Sequence, residues 1–398
     1  MDQIIPRRLR DLSPSATFEM ARRSAELASQ GVDVVNLAVG EPDFDTPRAI
    51  KDAAIAAIEG NCTKYSPVPG FTSLKEAAAH KLRTENNLQY GPSEILISTG
   101  AKQAICNAVM ALVDDGDEVV IPAPYWVSYP EMVKLAGGTP VFVAAPIGQD
   151  FKITPEQLAA AIGPRTRMLI LCSPCNPSGA VYSARELAAL AEVVKAHDGL
   201  FVLSDEIYEH INYTGSHASI ASVPGMRERT IVVNGVSKAY AMTGWRIGFM
   251  AAPQWIVSAC NMLQGQYTSG TCSVSQKAAE AAWTGPQECV EQMRQAFQRR
   301  RDLLVRLMRE IPGLEVNMPQ GAFYLLPKCS AYYGKSDGTR TISGSTDLAM
   351  YLLETAHVAT VAGDPFGAPE CIRLSYATSE ENIIEAVARI KAALARLK

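Results

Sequence analysis

The chain has 398 residues, enough for roughly two or three domains around a large core. It is 47% hydrophobic and 20% charged with a net charge of −4, which gives no electrostatic bias toward nucleic acid or a membrane surface. No run of 18 apolar residues offers a membrane span, and nine scattered cysteines in a chain of this length do not form a disulfide framework pattern.

The N-terminal stretch MDQIIPRRLRDLSPS carries Arg7, Arg8 and Arg10 but no apolar run long enough for a signal peptide, so a cytoplasmic location is expected. Short β-rich runs then recur: EILIST (94–99), EVVIP (118–122), TPVFV (139–143), RMLILC (167–172), LFVLS (200–204), TIVVN (230–234) and IGFMA (247–251). Segments of helical pattern lie between most of them. Ser73 with Glu76, Thr154 with Gln157 and Ser183 with Glu186 have the spacing of capping boxes and predict helix starts. Strands alternating with helices predict an α/β fold with a largely parallel sheet covered on both faces. From about Gly285 the pattern changes to a long Arg-rich helical stretch, a strand candidate GAFYLLP and a last helix, EENIIEAVARIKAALARLK. The expected division is an N-terminal segment (1–45) packing with a small C-terminal α+β domain (286–398), and a large domain (46–285) between them.

In an open parallel sheet, ligands bind beyond the carboxyl ends of the strands. Gly100, Trp126, Asn176, Asp205 and Lys238 each follow one of the β-rich runs, so they are expected on one edge of one sheet. Each also has a structural reading. STGAKQA is a strand, a glycine turn and a helix start, able to receive a phosphate or to be a plain βα turn. SPCNPSG on its own reads as a turn, in which Asn176 could donate to a ligand oxygen. Asp205, at the tip of an apolar strand, needs a cationic partner whether structural or bound. Lys238 could be solvated, but Gly235, Ser237 and Ala239 around it favour close approach to the backbone, and Arg246 has the fork suited to phosphate or carboxylate. Taken together, the set matches what pyridoxal phosphate requires: a lysine for a Schiff base, an acid for the pyridine nitrogen, a phosphate cradle, donors to the phenolic oxygen and an aromatic face.

The chain resembles the class I, fold-type I pyridoxal-phosphate aminotransferases, nearest the bacterial aspartate aminotransferase subgroup. The resemblance rests on PSAT (14–17), NLAVGEPDFDTP (36–47), KYSPVPG (64–70), PYWVSYPEM (124–132), SPCNPSGAVY (173–182), SDEIYEH (204–210), SKAYAMTGWRIG (237–248) and IRLSYATSEEN (372–382). It implies a mostly parallel seven-stranded sheet in the large domain. It also implies that Lys238 is the Schiff-base lysine and proton shuttle, that Asp205 pairs with the pyridinium, that Asn176 and Tyr208 bond the phenolic oxygen, and that Trp126 stacks on the ring. Gly100, Ala101, Lys102, Ser237 and Arg246 would hold the phosphate, with Tyr65 reaching across from a second subunit, so a homodimer is implied. Arg373 would clamp the substrate α-carboxylate and Gly40 would pass close to the substrate, with Trp126 and Asn176 also in contact. The implied reaction is a ping-pong exchange between an L-amino acid, aspartate or glutamate, and a 2-oxo acid such as 2-oxoglutarate, with no metal, nucleic acid or membrane involved.

Departures from the family pattern bear on substrate. Ala101 replaces a hydroxyl residue common in relatives, and Ser13 and Met110 stand where a basic partner for a distal carboxylate is sought. Arg7, Arg8 or Arg10 would substitute if the N-terminal segment folds over the site; otherwise aromatic, prephenate or other neutral substrates enter. A lyase on the same scaffold and a non-catalytic ligand sensor are the other classes. The motif C-x-x-C at Cys172 and Cys175 lacks a second pair for a metal site, though Cys175 adjoins Asn176. GKS at 334–336 imitates a P-loop without its first glycine, since residue 329 is Cys.

Overall fold

The computed structural model describes residues 6–14 and 16–398. In chain order the strands are β1 (Val35–Asn36), β2 (Ile95–Ser98), β3 (Glu118–Ala123), β4 (Thr139–Ala144), β5 (Thr166–Cys172), β6 (Phe201–Asp205), β7 (Thr230–Gly235), β8 (Gly248–Ala251), β9 (Tyr324–Leu325), β10 (Val358–Ala359), β11 (Val361–Ala362) and β12 (Ile372–Ser375). Seven of them, β2 to β8, form one sheet in the order β2-β8-β7-β6-β5-β3-β4. They coincide with the seven β-rich runs of the sequence. β2, β6, β7 and β8 are buried along their whole length, as strands covered on both faces must be.

β8 runs antiparallel to both β7 and β2, and the other strands are parallel. Residues 236–247, which separate β7 from β8, contain no α-helix, only a short 3₁₀ turn at Thr243–Trp245, whereas a parallel return is usually made through a crossover helix. The reversal has a consequence for the site: β8 begins at the edge where its parallel neighbours end, with Gly248 opposite both Ser98 and Gly235. Arg246 is therefore delivered to that edge.

Helices cover both faces. Ala101–Leu112 and Gln254–Tyr267 pack Ile105, Val109, Ile256 and Cys260 onto one face. Ala184–Lys195 packs Leu187, Leu190 and Val194 onto β5 and β6 residues. The boxes at Thr154 and Ser183 form, each hydroxyl accepting from the backbone N–H three residues on. The box expected at Ser73 does not. The helix there runs Thr72–Glu85 with Phe71 at the cap, and the Ser73 hydroxyl donates to Glu280 at 2.8 Å.

Arg48–Glu59, Thr72–Glu85 and Ser273–Thr284 pack against β2, β7 and β8, and the small strands form separate sheets. β9, β12 and β11 form an antiparallel sheet, and β1 pairs in parallel with β10, Val35 opposite Val358. The 21-residue helix Glu288–Met308 buries Val290, Met293, Phe297, Leu304, Val305 and Met308, one stripe at intervals of three, four and seven, in a core shared with Glu380–Leu394. No helix among the described residues is long and apolar enough to cross a membrane.

Candidate active site

A cavity of about 620 Å³ opens where the large sheet's carboxyl edge faces the smaller sheets. Its walls carry Gly40, Ala101, Lys102, Trp126, Asn176, Asp205, Tyr208, Ser237, Lys238, Arg246 and Arg373. Of the residues singled out from the sequence, Tyr65 lies elsewhere, fully exposed on the loop before the Thr72–Glu85 helix. Gly100 is the turn immediately beneath Ala101.

The turn after β2 is built for close approach. Gly100 has φ +79°, and a Cβ there would stand 2.4 Å from the Arg246 guanidinium. Arg246 itself adopts φ +58° and donates through Nη1 to Thr243 O at 2.8 Å. The Ala101–Leu112 helix starts at this point, so its first N–H groups and positive dipole end face the cavity beside Arg246 and Lys102. Lys102 sits over the Trp126 ring, 4.8 Å from its centroid, and burial lowers its pKa. Three converging positive features with no carboxylate among them suit a phosphate.

Lys238 Nζ donates to Gly40 O at 2.7 Å. Burial pulls its pKa down to about 8, against the attraction of Glu41 and with help from Arg246 and Arg373. Desolvation thus leaves about one tenth of this amine neutral and nucleophilic at pH 7, where an ordinary lysine is almost wholly charged. Asp205 shows the opposite shift. Burial raises its carboxyl to about 6, although Tyr129 donates to Oδ2 at 2.6 Å and the Ile207 N–H donates to Oδ1 at 3.3 Å. A buried carboxylate still raised despite two donors lacks a cation, and the cavity is the side from which one can arrive.

Arg373 is the third unmatched charge. It is 2% exposed, donates through Nη2 to Ala38 O (2.7 Å) and through Nη1 to Asn176 Oδ1 (3.1 Å), and lies over Tyr324 and Phe366. Its Nε has no partner, and its hydrogen bonds go to an amide and a backbone carbonyl, with no carboxylate paired to it among the described residues. Burial lowers its pKa. A guanidinium taken out of water in this way calls for an anion from the cavity. Because Asn176 Oδ1 accepts from Arg373, its amide N–H₂ remains to donate inward. Tyr208 shares a hydrogen bond at 2.9 Å with Tyr324, and its ring lies 5.9 Å from Lys238 Nζ.

Tyr129 and Tyr324 were not singled out from the sequence. Tyr129 lies one helical turn beyond Trp126 in the same PYWVSYPEM block, a signal that was present. Tyr324 sits in GAFYLLP, where nothing in the local pattern points to a site. The positions sought for a distal basic group are not on the cavity wall. Ser13 is exposed with its N–H on Glu131, and the Ala101–Leu112 helix presents Ile105 rather than Met110. Arg10 is exposed away from the cavity, and the side chains of Arg7 and Arg8 lie outside the described ones. Two His and Glu groups, Glu85/Glu209/His210 and Glu206/Glu209/His217, stand behind Asp205, where the buried Lys81 already neutralises Glu209.

The donor set fits pyridoxal phosphate: a desolvated amine, an unmatched carboxylate, an unfilled amide and a positive turn behind a glycine that no Cβ could replace.

The comparisons with known proteins agree on one family. The model for aminotransferase class I and II matches residues 32–390. The bifunctional aspartate aminotransferase and glutamate/aspartate-prephenate aminotransferase of Petunia hybrida is 49% identical over 397 residues, 98% of this chain and 83% of that one. Among solved structures, the aspartate aminotransferase of Rhizobium meliloti superposes with a TM-score of 0.96 at 45% identity, covering 99% of both chains. That of Thermus thermophilus with maleate gives 0.92 at 43%, covering 98% of this chain and 99% of the other.

Proposed function

The chain belongs to the class I and II aminotransferases, an enzyme family that moves amino groups between small amino and oxo acids, and on that premise we propose that it uses pyridoxal phosphate to transaminate aspartate or glutamate with a 2-oxo acid such as 2-oxoglutarate. The observation that carries this reading is the buried, carboxylate-free Arg373 facing Lys238 and Asp205 across one cavity. When bound, the cofactor supplies the electron sink and carries the amino group between half-reactions.

Every other part is assigned to this chain. Arg373 orients the α-carboxylate as a fork. Lys238, its ammonium form disfavoured by burial, would shuttle the proton between the substrate α-carbon and the cofactor. Asp205, held by Tyr129, would keep the pyridine nitrogen protonated. Asn176 and Tyr208 would donate to the phenolic oxygen, and Trp126 would stack on the ring. Gly100, Ala101, Lys102, Ser237 and Arg246 would hold the phosphate. Gly40 accepts from Lys238 through its carbonyl and would pass its backbone close to the substrate.

A dicarboxylic substrate is supported by the relatives named for aspartate and by maleate, a dicarboxylate, in the Thermus structure. Prephenate or an aromatic amino acid is the second reading, favoured by the apolar wall of Ala21, Ile105 and Val127 and by the Petunia enzyme's name. The same reading takes residues 46–285 as the large domain, 286–398 as the small one and 1–45 as a segment belonging with it, and takes the active unit as a homodimer. Trp255, Met262 and Tyr267 on one helix, with Tyr65, leave large apolar side chains exposed on a single chain, as an interface would.

The deciding experiment is single-turnover absorbance of the cofactor-loaded protein mixed with aspartate, glutamate, alanine or phenylalanine. Aspartate is expected to convert the bound cofactor to its amine form fastest, with nitrogen retained. Faster conversion by phenylalanine would move the substrate class to the aromatic reading, and released ammonia would make the protein a lyase.

A further inference from the structure

Five charged residues are buried among the described residues: Lys81, Asp205, Glu206, Glu209 and Arg373. Asp205 and Arg373 line the cavity. The other three touch nothing in it, yet Glu206 and Glu209 stand in the run SDEIYEH on either side of Tyr208.

Both glutamates are tied from behind the cavity. Glu206 Oε1 accepts from the hydroxyls of Ser204 (2.8 Å) and Ser219 (2.6 Å), and its Oε2 lies 2.8 Å from His217 Nε2. Glu209 is tied to the end of the Thr72–Glu85 helix, where Lys81 Nζ donates to Oε1 and the Asn86 amide donates to Oε2 at 2.6 Å. Lys81 also donates to Asn86 Oδ1 at 2.7 Å, and His210 Nε2 meets Glu85 Oε2 at 2.8 Å. Residues 206–211 belong to no helix or strand. The ends of this turn are held by backbone bonds, from Glu206 N–H to Val233 O (2.9 Å) and from Ala322 N–H to Ile211 O (2.7 Å). Its middle, which carries Tyr208, is held by Lys81 and Asn86 through Glu209.

A buried ion pair is weak evidence for stability, because desolvating two charges offsets most of their attraction; its best-attested use is to fix one geometry. We propose that Lys81 is a positioning residue for the reaction: its ion pair with Glu209 holds the turn 206–211 so that the Tyr208 hydroxyl reaches the cofactor's phenolic oxygen, an inference that rests on the pyridoxal-phosphate reading above.

The cofactor-loaded protein is titrated with pH and its visible absorbance followed. A donor at the phenolic oxygen favours the form in which the adjoining imine nitrogen has lost its proton, so losing the donor raises the midpoint. Tyr208→Phe is expected to raise it by about one pH unit. Lys81→Met alone would strand the buried Glu209, so the test variant is Lys81→Met/Glu209→Met, which removes both charges at similar volume and leaves the net charge unchanged. It is expected to retain the wild-type near-UV circular dichroism and to raise the midpoint by about half a pH unit or more. Adding Tyr208→Phe to it should raise the midpoint no further than Tyr208→Phe does by itself, because both changes remove the same contact.

An unmoved midpoint in the double variant would make the ion pair purely structural, and shifts that add to that of Tyr208→Phe would make it act through its field rather than through Tyr208; either overturns the proposal. Should the double variant fail to fold, Asn86→Ala cuts the second tie to Glu209 without stranding a charge. A smaller rise is then expected, again lost on the Tyr208→Phe background, and no rise overturns the proposal. The two readings fail separately: if no visible band forms with pyridoxal phosphate the cofactor reading falls and the role of Lys81 with it, whereas a band whose midpoint responds to Tyr208→Phe but to neither Lys81 nor Asn86 overturns the positioning role alone.

Discussion

Burial shifts Lys238 and Asp205 in opposite directions, and each shift has a measurable sign. An amine at about 8 is neutral over a range where ordinary lysine is charged. Uptake of pyridoxal phosphate by the cofactor-free protein, a reaction of the neutral amine, is therefore expected to accelerate through pH 8 and level off above it. A rise continuing to pH 10 would mean Lys238 is solvated; in Lys238→Ala, uptake and turnover are both expected to vanish. Asp205, at about 6 in the fold against 3.8 in the open chain, contributes stability below about pH 4 that is lost as pH rises through 6. The cost is on the order of 3 kcal/mol in the absence of a cation. Asp205→Asn removes that term, so the cofactor-free variant should gain stability relative to wild type between pH 4 and 7 while losing transaminase activity. A difference in denaturation midpoint that stays flat over this range would show the carboxylate already paired. At Arg373, truncation to Ala removes the fork and is expected to raise KM by a few kcal/mol equivalent, with kcat changed less. An unchanged KM would place the α-carboxylate elsewhere.

At the scale of elements, the turn from β2 into the Ala101–Leu112 helix concentrates the positive charge of the site, and Gly100 makes it possible. Gly100→Ala combines a left-handed φ with a Cβ at 2.4 Å from Arg246. The arginine must move, so the affinity for pyridoxal phosphate is expected to fall about tenfold or more, while affinity for pyridoxal without its phosphate should change little. Equal losses for both would locate the damage in the sheet. The strands of this framework were legible because a strand buried on both faces is a nearly continuous apolar run, and EILIST and FVLSDE are such runs. The direction of β8 was not, since a run such as IGFMA carries no record of its polarity; the absence of a crossover helix in 236–247 is the physical reason it reverses. Ser73 misled because S-x-x-E also occurs inside a helix, where the hydroxyl found Glu280 instead. β9 to β12 span two to four residues each, too few for any periodicity to show. Within the cavity, groups that end strands could be placed from sequence alone. Arg373 came only from resemblance, and Tyr129 and Tyr324 were missed because their roles depend on what faces them across the chain.

At the scale of the whole molecule, the exposed Tyr65 raises the question of whether it serves the cavity of its own chain or that of a second copy in the proposed homodimer. The loop bearing it is fixed: Gln276 accepts from the Phe71 N–H, Gln264 donates to Val68 O, and Ser66 donates to Thr271 O. A side chain left fully exposed on so well-tied a loop is positioned for something outside its own chain. If that is the phosphate of a partner subunit, each site needs Lys238 from one chain and Tyr65 from the other. Tyr65→Ala and Lys238→Ala should each be poorly active or inactive alone. Unfolded together and refolded as a mixture, they would form heterodimers in which one site has its lysine from one chain and its tyrosine from the other. About one quarter of wild-type activity per subunit is expected, because half of a random mixture is heterodimer and each heterodimer carries one whole site. If Tyr65 serves its own chain, no site in any pairing is complete and mixing restores nothing. Sedimentation of the same samples separates this outcome from a failure to associate, since a monomer would also show no recovery but would sediment at half the mass.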